Sequence, residues 1–173
     1  TLETGGKSPL LIFEDADMEQ AIKWSHYGIM SNQGQICTAT SRILVQESIF
    51  DAFVEKFREQ ISEVSIIGDQ WSSATFQGPQ VTKQQYERIL SYVEIGKKEG
   101  AKLVEGGEAR SGDGYYIKPT VFTGVTSKMR IYREEVSQHS ETYLNSADER
   151  LDIWSICRHR NFQGRKRSYR NGK

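Results

Sequence analysis

The stretch at residues 49–64 (IFDAFVEKFREQISEV) constrains the fold most. Ile49, Phe53, Val54, Phe57, Ile61 and Val64 fall on one stripe at helical spacing, with charges opposite, so this helix needs a core against one face only. A short apolar run at 43–46 precedes it. Another run, 9–13 (PLLIF), precedes a second helical pattern in which Met18, Ala21, Ile22, Ser25 and Ile29 recur and Asp15 or Asp17 can cap the start. A polar loop at 68–79 leads to a third helix. Thr82 and Gln85 there form a capping-box pattern, Tyr86, Ile89, Leu90, Val93 and Ile95 supply the buried face, and Gly100 ends it. Residues 102–105 and 115–122 read as further strands, with Pro119 arguing for an edge or a bend. Alternating strands and helices predict an α/β fold with a mainly parallel sheet and flanking helices. After Glu135 the apolar period stops, and residues 136–173 are not expected to pack.

The formal net charge of zero hides an asymmetry. Residues 158–173 hold seven basic and no acidic side chains, so residues 1–157 carry a net charge of −7. The charge is split between an acidic body and a basic tail. No run of ~18 apolar residues is present to span a membrane, and no charged segment leads into an apolar signal region. Two cysteines cannot build a disulfide scaffold, and their spacing fits no zinc site. These features predict a reduced, cytoplasmic protein without metal.

Gly6-Lys7-Ser8 hints at a phosphate loop, but the position where that motif needs its first glycine is Thr1, and no G-x-G-x-x-G occurs. Cys37 has a plain reading as a buried thiol. Its neighbours (Ser31-Asn32-Gln33-Gly34-Gln35-Ile36) are polar, however, and a helix starting near Cys37 would favour the thiolate. His26, His139 and His159 are scattered, so a Cys–His protease arrangement has no support. Glu3 is either a surface carboxylate or a partly desolvated base between Leu2 and Thr4-Gly5-Gly6.

Taken together, these segments resemble a known family. Thr1-Leu2-Glu3-Thr4-Gly5-Gly6-Lys7-Ser8-Pro9 resembles the glutamate signature of the aldehyde dehydrogenase superfamily, and Asn32-Gln33-Gly34-Gln35-Ile36-Cys37 resembles its cysteine signature, at the usual separation. Gln77-Gly78-Pro79-Gln80-Val81, residues 96–101 and residues 114–122 also look like family segments in family order, so the resemblance covers residues 1–135. It implies that this region is part of the family's catalytic domain. It also implies oxidation of a small-molecule aldehyde with NAD or NADP. Cys37 would be the nucleophile, its backbone N–H half of an oxyanion hole, and Glu3 the base that activates water. Glu135 matches the glutamate that binds the nicotinamide ribose. By the same resemblance Gln85 would approach that ribose, although the capping box accounts for it without a cofactor. The resemblance also implies a parent enzyme that is a homodimer or homotetramer, with no nucleic-acid or membrane partner.

Family enzymes are longer than this chain. The resemblance places the nucleotide-binding half before Thr1 and the final catalytic and oligomerisation segments after Lys173, so an inactive interior fragment is expected. The family continues from the Glu135 position as I-F-G-P, whereas Val136-Ser137-Gln138-His139 stands here. Val136-Ser137 can be encoded GTA-AGT, a splice donor. Ala147-Asp148 can hold a branch-point sequence, and Leu151-Asp152 a TAG acceptor. Residues 152–173, read one base later with allowed codons, give IFGPSVVIATFKDERGAIEMA. Residues 136–173 are therefore expected to be an aberrant basic tail from a retained intron and a shifted frame. On that expectation, phosphate contact through the Arg/Lys residues, with stacking by Phe162 and Tyr169, is accidental. One alternative function is a non-catalytic or antigenic product of a mis-spliced transcript. A second is a thiol-dependent acyl-transfer or binding module without NAD.

Overall fold

The computed structural model describes residues 6–134 and 153–159; within the latter, side chains are described for Ile156 and Cys157. Five strands form one sheet: β1 (Pro9–Ile12), β2 (Arg42–Gln46), β3 (Lys102–Glu105), β4 (Thr120–Thr123) and β5 (Ile153–His159). The helices are α1 (Met18–Met30), α2 (Phe50–Val64), α3 (Lys83–Lys98) and the single turn α4 (Arg130–Arg133). The sheet order is β1-β2-β5-β4-β3. β1/β2, β2/β5 and β4/β5 pair in parallel, and β3/β4 pair antiparallel. The expected mainly parallel α/β architecture is therefore present.

Successive residues of the central strands point to opposite faces and enter different cores. Ile43 and Val45 of β2, Val121 of β4 and Ile156 of β5 join α1 and α2 side chains in one cluster. Leu44, Phe122 and Cys157 join those of α3 and α4 in the other. Burial on both faces is what a parallel sheet requires. The stripe predicted for α2 is the buried one: Phe53 and Phe57 are fully buried, and their rings stack at 5.7 Å.

Local signals set most boundaries. Asp17 caps α1, accepting from Gln20 N at 3.0 Å. Gly100, with φ +90°, follows the α3 cap and donates to Lys97 O at 3.1 Å. The face of α3 is rotated from the predicted one: Gln85, Tyr92 and Gly96 are buried with Ile89 and Val93. At Gly96 a Cβ would lie 3.1 Å from both Ile131 and Phe122, so the small residue lets α3 approach β4 and α4.

Two expectations need correction. Residues 115–122 are not one strand. β4 begins at Thr120, and before it Ile117 makes only an isolated bridge to Ala109. Pro119 has no N–H to donate to a ladder. The expectation that nothing after Glu135 packs fails for Ile153–His159, which pairs with both β2 and β4. A central strand needs only a short run with both faces buried, and such a run lacks a sustained period. The intron and shifted-frame reading of 136–152 and 160–173 lies outside the described residues. Among the described residues, no helix is long and apolar enough to cross a membrane.

His26 joins α1 to the chain leaving α2. It is buried, its Nε2 is 2.8 Å from Ser65 Oγ, and its ring is 5.1 Å from that of Phe76. Burial pushes its pKa from 6.5 down to about 4, so folding favours the neutral ring. Between these two values the unfolded chain binds the proton and the folded chain does not. Stability is therefore fully present above 6.5 and falls as the pH drops toward 4, by up to about 3 kcal/mol. His26→Gln should remove this component. The difference in urea midpoint between wild type and variant should then shrink as the pH is lowered through that window.

Candidate active site around Cys37

The chain between α1 and β2 reverses within a few residues. Asn32 and Gln33 adopt left-handed backbone angles (φ 50° and 54°), and Gly34 follows at φ 71°. For a non-glycine residue this conformation costs roughly 1–2 kcal/mol. Asn32 offsets part of it locally: its Nδ2 donates to Gln35 O at 3.2 Å, and Gln35 N donates to Asn32 O at 3.0 Å. With its amide oriented to satisfy both ends, Gln33 accepts from Gly78 N at 2.8 Å and donates to Asn32 O at 3.2 Å.

This reversal carries Cys37 to the surface. The thiol is exposed, on a turn closed by Ala39 N donating to Ile36 O at 2.9 Å. No helix begins at Cys37: the chain turns at 36–39 and enters β2 at Arg42, so a helix start that would favour the thiolate is not present there. Thr40 N then donates to Gly28 O at 3.1 Å, laying the returning chain against α1. A Cβ at Gly28 would sit 2.9 Å from Thr40 Oγ1, so the close approach depends on glycine.

Two other segments enclose the turn. From the loop before α3, Gln77 Nε2 donates to Met30 O at 2.8 Å, and Gln80 Oε1 accepts from Gln35 Nε2 at 3.4 Å. From the segment entering β1, Ser8 Oγ lies 3.5 Å from Cys37 O, a contact that reports proximity more than energy. Arg42 N donates to Ser8 O at 3.4 Å, and Arg42 Nε donates to Lys7 O at 2.8 Å. Lys7 Nζ in turn donates to Ile131 O at 2.7 Å. The Gly6–Ser8 end of the glutamate-bearing motif therefore meets the cysteine motif.

Gln85 is 2% exposed. Its backbone N–H donates to Thr82 Oγ1 at 3.1 Å, and its Oε1 accepts from Val81 N at 3.2 Å, one residue before the usual capping-box partner. Among the described residues its Nε2 is buried without a hydrogen-bond partner. Among the described residues, Gln85 is linked to the cysteine turn indirectly, through Val81, Gln80 and Gln35. Glu3 and Glu135 lie outside the described residues.

The structure adds a cluster that the sequence reading missed. Arg130 Nη2 meets Glu134 Oε2 at 2.9 Å, and Tyr92 Oη donates to the same oxygen at 2.8 Å. The Arg130 guanidinium also lies 5.4 Å from the Tyr92 ring centroid. The hydrogen bonds from Arg130 hold the Glu134 carboxyl below the usual range, while burial and then Glu134 push the Tyr92 phenol up. The i,i+4 spacing of Arg130 and Glu134 was the available signal. Among the described residues, no group of three or more His, Cys, Asp or Glu side chains gathers to hold a metal.

The model of the aldehyde dehydrogenase family matches residues 1–137. An aldehyde dehydrogenase of Davidiella tassiana is 50% identical over 136 residues, which is 79% of this chain and 27% of the relative. One from Emericella nidulans is 51% identical over 149 residues, 86% of this chain and 30% of the relative. The chain thus spans less than a third of the length of these relatives. Among solved structures, the NAD+ complex of aldehyde dehydrogenase from Bacillus cereus is similar with a TM-score of 0.80 at 39% identity, over 91% of this chain and 29% of that one. Betaine aldehyde dehydrogenase from Staphylococcus aureus, in complex with NAD+, gives 0.79 at 32% identity over 91% and 29%.

The cap that places Gln85 is open to measurement. Thr82→Ala should lower the stability of the chain by about 1 kcal/mol. This should appear as a lower urea midpoint at unchanged slope.

Proposed function

Since the chain belongs to the aldehyde dehydrogenase family, we propose that it is the cysteine-bearing part of an enzyme that oxidises an aldehyde to a carboxylic acid with NAD or NADP. The observation that carries this reading is the exposed Cys37 thiol on a turn braced from two other segments, one of them the Gly6–Ser8 end of the glutamate motif. The Cys37 thiolate attacks the aldehyde carbon, forming a C–S bond while the carbonyl electron pair moves to oxygen. The Cys37 backbone N–H stabilises that oxygen. NAD or NADP, which Gln85 and Glu135 would hold, would supply the hydride acceptor. The aldehyde carbon is thereby oxidised by two electrons and remains as a thioester on sulfur. Glu3 takes a proton from the water that attacks this thioester, the C–S bond breaks, and the acid leaves with the thiolate restored.

Gln85 offers one observation on coenzyme fit. Its buried amide N–H has no partner among the described residues and is a donor that a ribose hydroxyl would satisfy. Glu135 is proposed as the second ribose contact. The parent enzyme is proposed to be a cytoplasmic homodimer or homotetramer without nucleic-acid or membrane partners, and the 173-residue chain alone to be inactive.

A second reading concerns the tail. Residues 136–152 interrupt the chain between the Glu135 position and the strand that sheet order places between β2 and β4. The alternative frame supplies I-F-G-P and then S-V-V-I at this point. We infer a retained intron, which makes the present chain a non-catalytic product of a mis-spliced transcript. Transcript sequencing across codons 135–152 should find a spliced message lacking the GTAAGT segment. A message population in which every transcript retains the GTAAGT segment would sink the idea.

In the full-length enzyme, Cys37→Ala should reduce aldehyde oxidation on the order of 10⁴-fold or more. Glu3→Gln should slow turnover by about 10²–10⁴-fold while leaving a burst of reduced coenzyme, because thioester formation precedes the step it blocks. Turnover surviving in Cys37→Ala, or depending on the thiol but not on coenzyme, would overturn the assignment.

A further inference from the structure

We propose that Gln77 is a positioning residue for Cys37, fixing the end of α1 so that the left-handed turn after it holds the thiol in one place. This rests on the reading of Cys37 as the nucleophile. Gln77 is 3% exposed, and its Nε2 donates at 2.8 Å to the carbonyl of Met30, the last residue of α1. Carbonyls in a last helical turn have no partner within the helix. Immediately beyond stand Asn32 and Gln33, two non-glycine residues in left-handed angles. Such angles persist only where the surroundings impose them.

Three ties impose them here, and all come from residues 77–80: Gln77 to Met30, Gly78 N to Gln33, and Gln80 to Gln35. Of the three, the Gln77 bond is the buried one, where water cannot replace a lost partner. The supporting segment is itself anchored. Phe76 N and Gln77 N donate to Ile66 O at 2.9 and 3.0 Å, and Gln80 N donates to Tyr115 O at 2.8 Å. Gln77 bonds the backbone before the turn, at Met30, seven residues ahead of Cys37. Its loss should therefore act on kcat and not on aldehyde KM.

The test uses the full-length enzyme. Gln77→Met keeps length and volume but not the donor. Gln77→Glu regains a donor only when its buried carboxyl is protonated. The expected result for Gln77→Met is a kcat lowered by about tenfold to a hundredfold, with KM for aldehyde and coenzyme within about twofold. Cys37 alkylation by iodoacetamide, giving the carbamidomethyl thioether with loss of iodide, should slow in parallel. For Gln77→Glu, kcat relative to wild type should recover as the pH falls.

A residue that serves stability alone would lower Tm and leave kcat and the alkylation rate of the folded enzyme unmoved. That result, or a Gln77→Glu ratio flat with pH, overturns the proposal. If neither variant folds, Gln77→Asn, which keeps the amide but shortens its reach to Met30 O, must lower kcat at unchanged KM; an unchanged kcat overturns the proposal. Full loss of activity in Cys37→Ala with wild-type kcat in Gln77→Met isolates a failure of the positioning role. Turnover surviving in Cys37→Ala means instead that the nucleophile reading has failed.

Discussion

Two-sided burial of the central strands is the constraint on which the remaining structure depends. β2, β5 and β4 send alternate side chains into two separate cores, one under α1 and α2 and the other under α3 and α4. A parallel sheet has no solvent face to spare. Each helix must therefore cover apolar surface, and the loops that reach the strands must run at the sheet's ends. Phe53 and Phe57 on one side, with Ile89 and Ile131 on the other, lock the helices in place. The loops inherit their positions from that lock.

The candidate site lies where two of those loops enter the sheet. Ser8 immediately precedes β1, Cys37 lies shortly before β2, and the two strands are parallel, with Pro9 beside Arg42. Both segments thus sit at the amino ends of their strands. Open α/β sheets more often place ligands beyond the carboxyl ends, at a switch in strand order. The difference is met by short-range means: left-handed residues turn the chain sharply, and glutamine amides from residues 77–80 hold the turn. Precision at the thiol comes from side-chain amides, not from a helix terminus.

Those facts explain what was legible in the sequence. The stripe of α2, the Asp17 cap and the Thr82–Gln85 pair were readable because each rests on local spacing. Cys37 and Glu3 became candidates with assigned roles only through family resemblance, since neither has a partner near it in sequence. The Gln77 and Gln80 ties carry no period, and they act across more than forty positions, so no window along the chain reveals them. Pro119 was correctly seen as a disturbance but not as a boundary. β5 was missed because a strand buried on both faces looks like any short mixed run, and what identifies it is its neighbours.

The position of β5 has a consequence for how the molecule is made. β1 and β2 form one ladder and β3 and β4 another, and the order β1-β2-β5-β4-β3 gives these ladders no shared bonds except through β5. Of the described strands, β5 is the last to leave the ribosome. Until it arrives, the nascent chain carries two half-sheets whose inner edges are both open to other chains. Joining them pairs Arg42 with Ser155 across most of the sequence, a closure that makes folding slow and late.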